Sequence, residues 1–284
     1  MRTAAGSVDA RPIRPRSAAS ARKAKPGKPR ASRRFELHLY RQGLSLVAGV
    51  DEVGRGCLAG PVLAAAVILP DDAAKLRRIS GVQDSKVLKL DDRERLYIQI
   101  MKIAVAVGVG LCSHRFIDRY GIAPASRMAM SKAVGKLGVW PDHLLIDALR
   151  LPLLNCPQTA IIDGDALCLS IASASIVAKV TRDRLMTIAA AKHPGYGFQN
   201  HKGYGTPEHH HALIESGPCS IHRLTFRPAF ASCSIGELTS QPLREPQGQS
   251  EPTVDSGLRQ LPSIAISSSA LIVPRASAAS PPPV

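Results

Sequence analysis

Two adjacent carboxylates, Asp51 and Glu52, stand between an apolar run, Leu46 to Val50, and the glycine-flanked arginine Gly54-Arg55-Gly56. A second apolar run, Val62 to Leu69, brings the chain back. A charged pair between two hydrophobic strands is costly unless something compensates it, and a bound cation is one answer. Neighbouring residues on a strand point to opposite faces, so both acids can reach one ion only if the strand ends or bulges there. Two later apolar runs also end in acids: His143 to Ile146 at Asp147, and Thr159 to Ile162 at Asp163-Gly164-Asp165. Asp51, Glu52, Asp147 and one of Asp163 or Asp165 would gather at one end of a mixed sheet. Four acids with no Cys or His partner are the ligand set of a hard cation such as Mg²⁺ or Mn²⁺. Two such ions about 4 Å apart serve phosphodiester hydrolysis, one activating water and the other stabilising the leaving oxygen.

The elements that must position these acids follow from periodicity and turn chemistry. Strands are expected at 46–50, 62–69, 105–111, 143–146 and 159–162. A helix is expected from an Asp91 N-cap to about Ile103, with Leu96, Ile100 and Ile103 on one face. Short helices are expected at Phe35–Arg41 and Arg115–Tyr120. A longer one, Pro124–Leu137, has proline in its first turn. The small-residue stretch 171–179 reads as a buried helix that lies close to the sheet and runs to about Lys192. The segment 195–206 reads as a Gly-rich aromatic and basic loop, followed by a helix from Pro207 to Ser216 with Thr206 as N-cap. His209-His210-His211 resembles a metal cluster, but successive helical residues face different ways, so the run reads as an accident on an exposed turn.

Composition limits the function classes. The 284 residues carry a net charge of +15, and about eleven Lys or Arg against the single acid Asp9 fall between Arg2 and Arg34. Such a balance suggests a polyanionic partner, of which nucleic acid is the commonest. Six scattered cysteines without a CxxC pair fit neither zinc nor a disulfide framework. No apolar run has the length of a membrane span. Residues 1–34 are expected to be a disordered basic arm, 35–235 the folded domain, and 236–284 a disordered Ser/Pro/Ala-rich tail. The arm also has a transit-peptide composition, but the expected location is the cytoplasm.

AGVDEVGRG at 48–56, LAGPV at 58–62, Asp84-Ser85-Lys86, IASASIVAKVTRD at 171–183 and YGFQNHKGYGT at 196–206 together resemble bacterial ribonuclease HII. The resemblance covers about 45 to 230. It implies an α/β, ribonuclease H-like fold: a mixed five-stranded sheet flanked by helices, with a small helical C-terminal extension. It implies a monomeric endonuclease that cuts the RNA strand of RNA–DNA hybrids and incises 5′ of ribonucleotides embedded in duplex DNA, leaving a 3′-hydroxyl and a 5′-phosphate. Asp51, Glu52, Asp147 and Asp165 match the family's catalytic, metal-holding acids. Asp165 is preferred over Asp163 because the family motif puts its acid directly after glycine.

By the same resemblance, Gly54, Arg55 and Gly56 match the loop that grips the nucleic-acid backbone, and Tyr204 the tyrosine that senses the 2′-hydroxyl. Lys86, Lys179, Arg182 and Lys202 are candidates for phosphate contacts, although Arg182 is better read as an ion-pair partner of Asp183. Four positions depart from the family pattern: Cys57 for proline, Val87 for a second lysine, Ala148 for glycine and Gly121 for asparagine. A ribonuclease HIII-like enzyme is the nearest alternative. A non-catalytic hybrid-binding protein is the alternative from another class.

Overall fold

The structure is a computed structural model that describes residues 31–82 and 88–226. The expectations for residues 1–30 of the arm, the tail, Lys86 and Val87 lie outside those residues, whereas Ser32 forms a bridge to Cys168 and Arg34 opens the first helix. Five strands form one sheet: β1 (Val47–Val53), β2 (Val62–Ile68), β3 (Ala106–Cys112), β4 (His143–Asp147) and β5 (Gln158–Ile161). Their order is β3-β2-β1-β4-β5. The first three are antiparallel neighbours, whereas β4 and β5 run parallel to β1.

The helices in chain order are α1 (Arg34–Tyr40), α2 (Ala73–Leu76), α3 (Leu90–Ile103), α4 (His114–Tyr120), α5 (Ile122–Gly135), α6 (Gly164–Leu167), α7 (Leu169–Lys192), α8 (Phe198–His201) and α9 (Pro207–Ser216). A sheet covered on both faces must be apolar on both, which is why β2 reads as an unbroken run of Val, Leu, Ala and Ile. Ala48, Val50, Val62, Ala64 and Ala66 pack against Ala125, Ala129, Met130 and Ala133 of α5. Leu63, Ala65 and Val67 pack the other way, against Leu96, Ile100 and Ile103 of α3 and Ala172, Ala174 and Ile176 of α7. A third small core joins Leu58 and Ala59 to Met186, Tyr196, Phe198 and Leu213, and seats α8 and α9.

Close approach of helix to sheet is written in small residues. A Cβ on Gly49 would lie 2.1 Å from the Ser170 carbonyl carbon of α7. On Gly108 and Gly110 it would lie 2.0 and 2.2 Å from the carbonyl oxygens of Ala133 and Ala129. Side chains at these points would lift α7 or α5 off the sheet.

Several expectations need correction. The first strand does not end before the acids: β1 continues in regular register through Asp51, Glu52 and Val53, paired with Ala65, Ala64 and Leu63. The β2 ladder holds them extended. The third helix begins at Leu90, and its N-cap position is Lys89, which makes no side-chain cap; Asp91 lies in the first turn, toward the positive end of the helix dipole. The segment after Pro70 carries α2, capped by the Asp72 carboxylate, and a 3₁₀ turn at Arg77–Ile79. The Gly-rich loop contains α8, a single turn with Gly197 and Lys202 at its ends, both in the left-handed region.

Candidate active site

Alternation along β1 puts Gly49 and Asp51 on the α7 face and Val50 and Glu52 on the α5 face. On the parallel neighbour β4, Gly49 pairs with Leu145 and Val50 with Ile146. Asp51 and Asp147 are therefore the next residues along adjacent strands, on the same face. Asp165 sits in the first turn of α6, one residue after Gly164, whose N–H donates to Asp147 Oδ1 at 2.8 Å. Asp163 is exposed and lies in the left-handed region at φ 54°, whereas Asp165 is buried.

Electrostatics report the gathering directly. Asp51 is held well above the usual carboxylate range, first by burial and then by the charges of Glu52, Asp147 and Asp165; a hydrogen bond from Ser175 of α7 opposes the shift. The charges of Glu52, Asp147 and Asp165 thus all reach Asp51, that of Glu52 from the other face of β1. Glu52 Oε1 accepts from Arg55 Nη1 at 2.9 Å, while Glu52 Oε2 is buried with no hydrogen-bond partner. Among the described residues no three His, Cys, Asp or Glu side chains form a ready-made ligand cluster. An oxygen-only donor set with one orphaned buried oxygen, and with the ionisation of Asp51 opposed by its neighbours, nevertheless fits a hard divalent cation.

The loop after β1 and the Tyr204 loop lie side by side. Leu58 N–H donates to Gly203 O at 2.8 Å, and Cys57 and Tyr204 form an isolated β-bridge. Burial raises the pKa of both the Cys57 thiol and the Tyr204 phenol, and the charge of Cys57 adds to the rise at Tyr204. Cys57 is fully buried, so in place of the family's proline it supplies a contact to the tyrosine. Tyr204 itself is 37% exposed, with Lys179 Nζ 5.5 Å from its ring centroid. Lys179 pairs with Asp183 at 2.7 Å. Lys202 Nζ donates to Thr187 Oγ1 and Gln199 O, and burial lowers its pKa. Lys179, Lys202 and Tyr204 line, with Arg93 and Arg184, a groove of about 630 Å³.

Arg182 takes neither of its expected roles. Its guanidinium is fully buried and donates to the carbonyl oxygens of Ala59, Pro61 and Lys202; Asp183 pairs instead with Lys179 and Arg93. The histidine run is not an exposed turn either. His209 is fully buried on α9, His210 is partly buried and His211 is exposed. His209 Nδ1 lies 2.9 Å from Tyr204 O, and its Nε2 lies 3.0 Å from His222 Nε2. Cys219 N–H donates to His222 Nδ1 at 2.8 Å. These partners require that His209 carry its proton on Nδ1 and His222 on Nε2, so that both rings are neutral and satisfied. Below Tyr204, then, lies an imidazole chain rather than a metal site.

Sequence reasoning missed His209, His222 and Arg223, which act through contacts between segments far apart in the chain. Two departures take on a structural meaning. Ala148 sits at φ 50°, where the family's usual glycine is at ease and alanine is strained. Gly121 sits at φ 83° and ψ 166°, a conformation that glycine alone adopts readily.

Comparison with known proteins bears on the family and the fold. The family model described as Ribonuclease HII matches residues 48–233. Ribonuclease HII of Geobacter metallireducens is 55% identical over 193 residues, 68% of this chain and 89% of the relative. That of Dehalococcoides mccartyi is 53% identical over 193 residues, 68% of this chain and 91% of the relative. Among solved structures, RNase HII of Archaeoglobus fulgidus, in its complex with PCNA, superposes with a TM-score of 0.55 at 27% identity, covering 64% of this chain and 95% of that one. Ribonuclease H2 of Pyrococcus horikoshii superposes with a TM-score of 0.54 at 27% identity, covering 64% of this chain and 94% of that one.

Proposed function

Because the chain belongs to the ribonuclease HII family and is a ribonuclease H enzyme, we propose that it cuts the RNA strand of RNA–DNA hybrids and incises duplex DNA 5′ of an embedded ribonucleotide. The products are a 3′-hydroxyl and a 5′-phosphate. One observation carries the reading: Asp51, burdened by the charges of Glu52, Asp147 and Asp165, lies at the end of β1 that leads directly into the Gly54–Gly56 loop beside Tyr204. Chemistry and substrate recognition share one stretch of chain.

The four acids would hold Mg²⁺ or Mn²⁺, two ions in the active complex, with Glu52 Oε2 as a ready donor. Bound divalent ions supply charge neutralisation at the scissile phosphate and a nucleophile at neutral pH. The protein's own share is positional. Gly164 fixes the Asp147 carboxylate through its N–H, and the Ser175 side chain bonds to Asp51. The Gly54–Gly56 loop receives the nucleic-acid backbone. Tyr204 presents its hydroxyl to the ribose 2′-OH, the one group that separates RNA from DNA at a given site. Lys179 and Lys202 face the groove along which flanking phosphates would run, setting affinity and register without reading sequence.

A cleavage assay on a duplex with one ribonucleotide, with Mg²⁺ and with EDTA, tests the proposal. Metal-dependent incision on the 5′ side of the ribonucleotide is expected, and Asp51→Asn should abolish it while leaving duplex binding measurable. Binding without cleavage by the wild-type chain would favour a non-catalytic hybrid-binding protein. Full activity of Asp51→Asn would remove Asp51 from the site.

A further inference from the structure

Two arginines, Arg182 and Arg223, are the largest fully buried side chains among the described residues, and neither has a carboxylate within ion-pair distance. Every hydrogen bond they make goes to a backbone carbonyl. Arg223 donates to Gly54 O at 2.6 Å, Arg55 O at 2.7 Å and Gly60 O at 3.0 Å. Arg182 donates to Ala59 O at 3.1 Å, Pro61 O at 3.0 Å and Lys202 O at 2.9 Å, and its Nε lies 2.2 Å from where a Cβ on Gly54 would stand. The two cations repel each other, and burial with that repulsion lowers the pKa of Arg223 to about 10. Two buried like charges are retained at a cost, so they should serve an arrangement that carbonyl oxygens alone would not keep.

The trans peptide unit supplies the consequence. In a planar trans amide the C=O of one residue and the N–H of the next point in opposite directions. With Gly54 O and Arg55 O drawn inward onto Arg223, the N–H groups of Arg55 and Gly56 point outward. Arg55 and Gly56 are exposed, and their amides donate to no group among the described residues. Successive outward amides above buried positive charge form an anion-binding concavity. Arg182 ties the far leg of the same loop to Lys202, two residues before Tyr204.

We propose that Arg223 and Arg182 are positioning residues that orient the 54–56 peptide units so that the Arg55 and Gly56 amides receive a phosphate oxygen of the nucleic-acid backbone. This rests on the nuclease reading for its ligand. The Asp118 carboxylate offsets part of the Arg223 charge without pairing with it, and a bound phosphate would add counter-charge beside the buried pair.

The test uses the full chain and a duplex with one ribonucleotide. In EDTA, the Arg55 and Gly56 amide resonances of the wild-type protein should shift when the duplex binds. Arg223→Met should lose those shifts. With Mg²⁺ it should raise KM about tenfold or more while kcat stays within about twofold, since the lost contact is uniform binding. Arg223→Lys, which keeps the charge and can still reach a carbonyl, should recover part of the loss. Unmoved wild-type amides on a bound duplex would overturn the proposal, as would an unchanged KM in a folded Arg223→Met. If Arg223→Met fails to fold, the lysine variant and the wild-type amides decide. If the wild-type chain binds the duplex but does not cut it, the nuclease reading fails, and the amide shifts still judge the clamp.

Discussion

Gly164 donates its backbone N–H to Asp147 Oδ1 at 2.8 Å, so the residue before one acid orients the carboxylate of another. The two acids belong to different strand–helix units, and the bond is what makes them one site. A Cβ on Gly164 would lie 3.2 Å from that oxygen and 2.7 Å from Ile171 Cδ1, which keeps the position small. The cluster is therefore assembled at the expense of local stability, and its cost is measurable.

Asp51→Asn should make the metal-free protein more stable while abolishing cleavage. The Asp51 pKa lies well above 3.8 in the folded state, so the folded chain binds that proton more tightly than the unfolded one. Its contribution to stability is present at low pH and is lost as the pH rises through the raised value. Asparagine removes the charge. In EDTA at neutral pH a gain of about 0.5–2 kcal/mol is expected by thermal or urea unfolding. A variant less stable than wild type under those conditions would contradict the crowding of charges at Asp51.

Tyr204→Phe should keep the ring near Lys179 and lose the hydroxyl. We expect kcat/KM on a single-ribonucleotide duplex to fall about tenfold or more, with duplex affinity changed less than about twofold. Equal losses in cleavage and binding would mean that the tyrosine only packs its loop.

The imidazole chain beneath Tyr204 predicts an acid limb in stability. Burial, the largest cause, holds His209 and His222 at about 4 against 6.5 in an unfolded chain. The unfolded state then binds more protons between these values, so stability is complete above about pH 6.5 and is lost as the pH falls toward 4. The melting temperature, followed from pH 7 to pH 4, should fall, and His222→Phe should flatten that fall. Identical pH profiles for the two proteins would count against the buried pair.

Two backbone positions test the packing. Gly49→Ala should cost about 2–4 kcal/mol, because its Cβ meets the α7 backbone rather than a movable side chain. Ala148→Gly should gain up to about 1 kcal/mol by relieving a left-handed alanine. Urea unfolding of each variant measures both, and a neutral Gly49→Ala would show that α7 is not seated on β1 at that point.

The sequence by itself determined the five strands, the long helices and the acids at the strand ends, because those depend on local periodicity and on residue types that tolerate few alternatives. Continuous apolar runs place 46–50, 62–69 and 105–111 in a sheet whatever surrounds them. Only the tertiary structure decided that β1 runs on through Asp51 and Glu52, because the β2 ladder, not the local chain, holds that backbone extended. The same holds for Arg182, Arg223, His209 and His222. Their partners are carbonyls and rings brought from distant segments, and a side chain that bonds to backbone leaves no partner residue type for a sequence to display. Ala148 and Gly121 stood out as departures from a pattern, but their positive φ angles, which strain the alanine and suit the glycine, are a property of the folded turns alone.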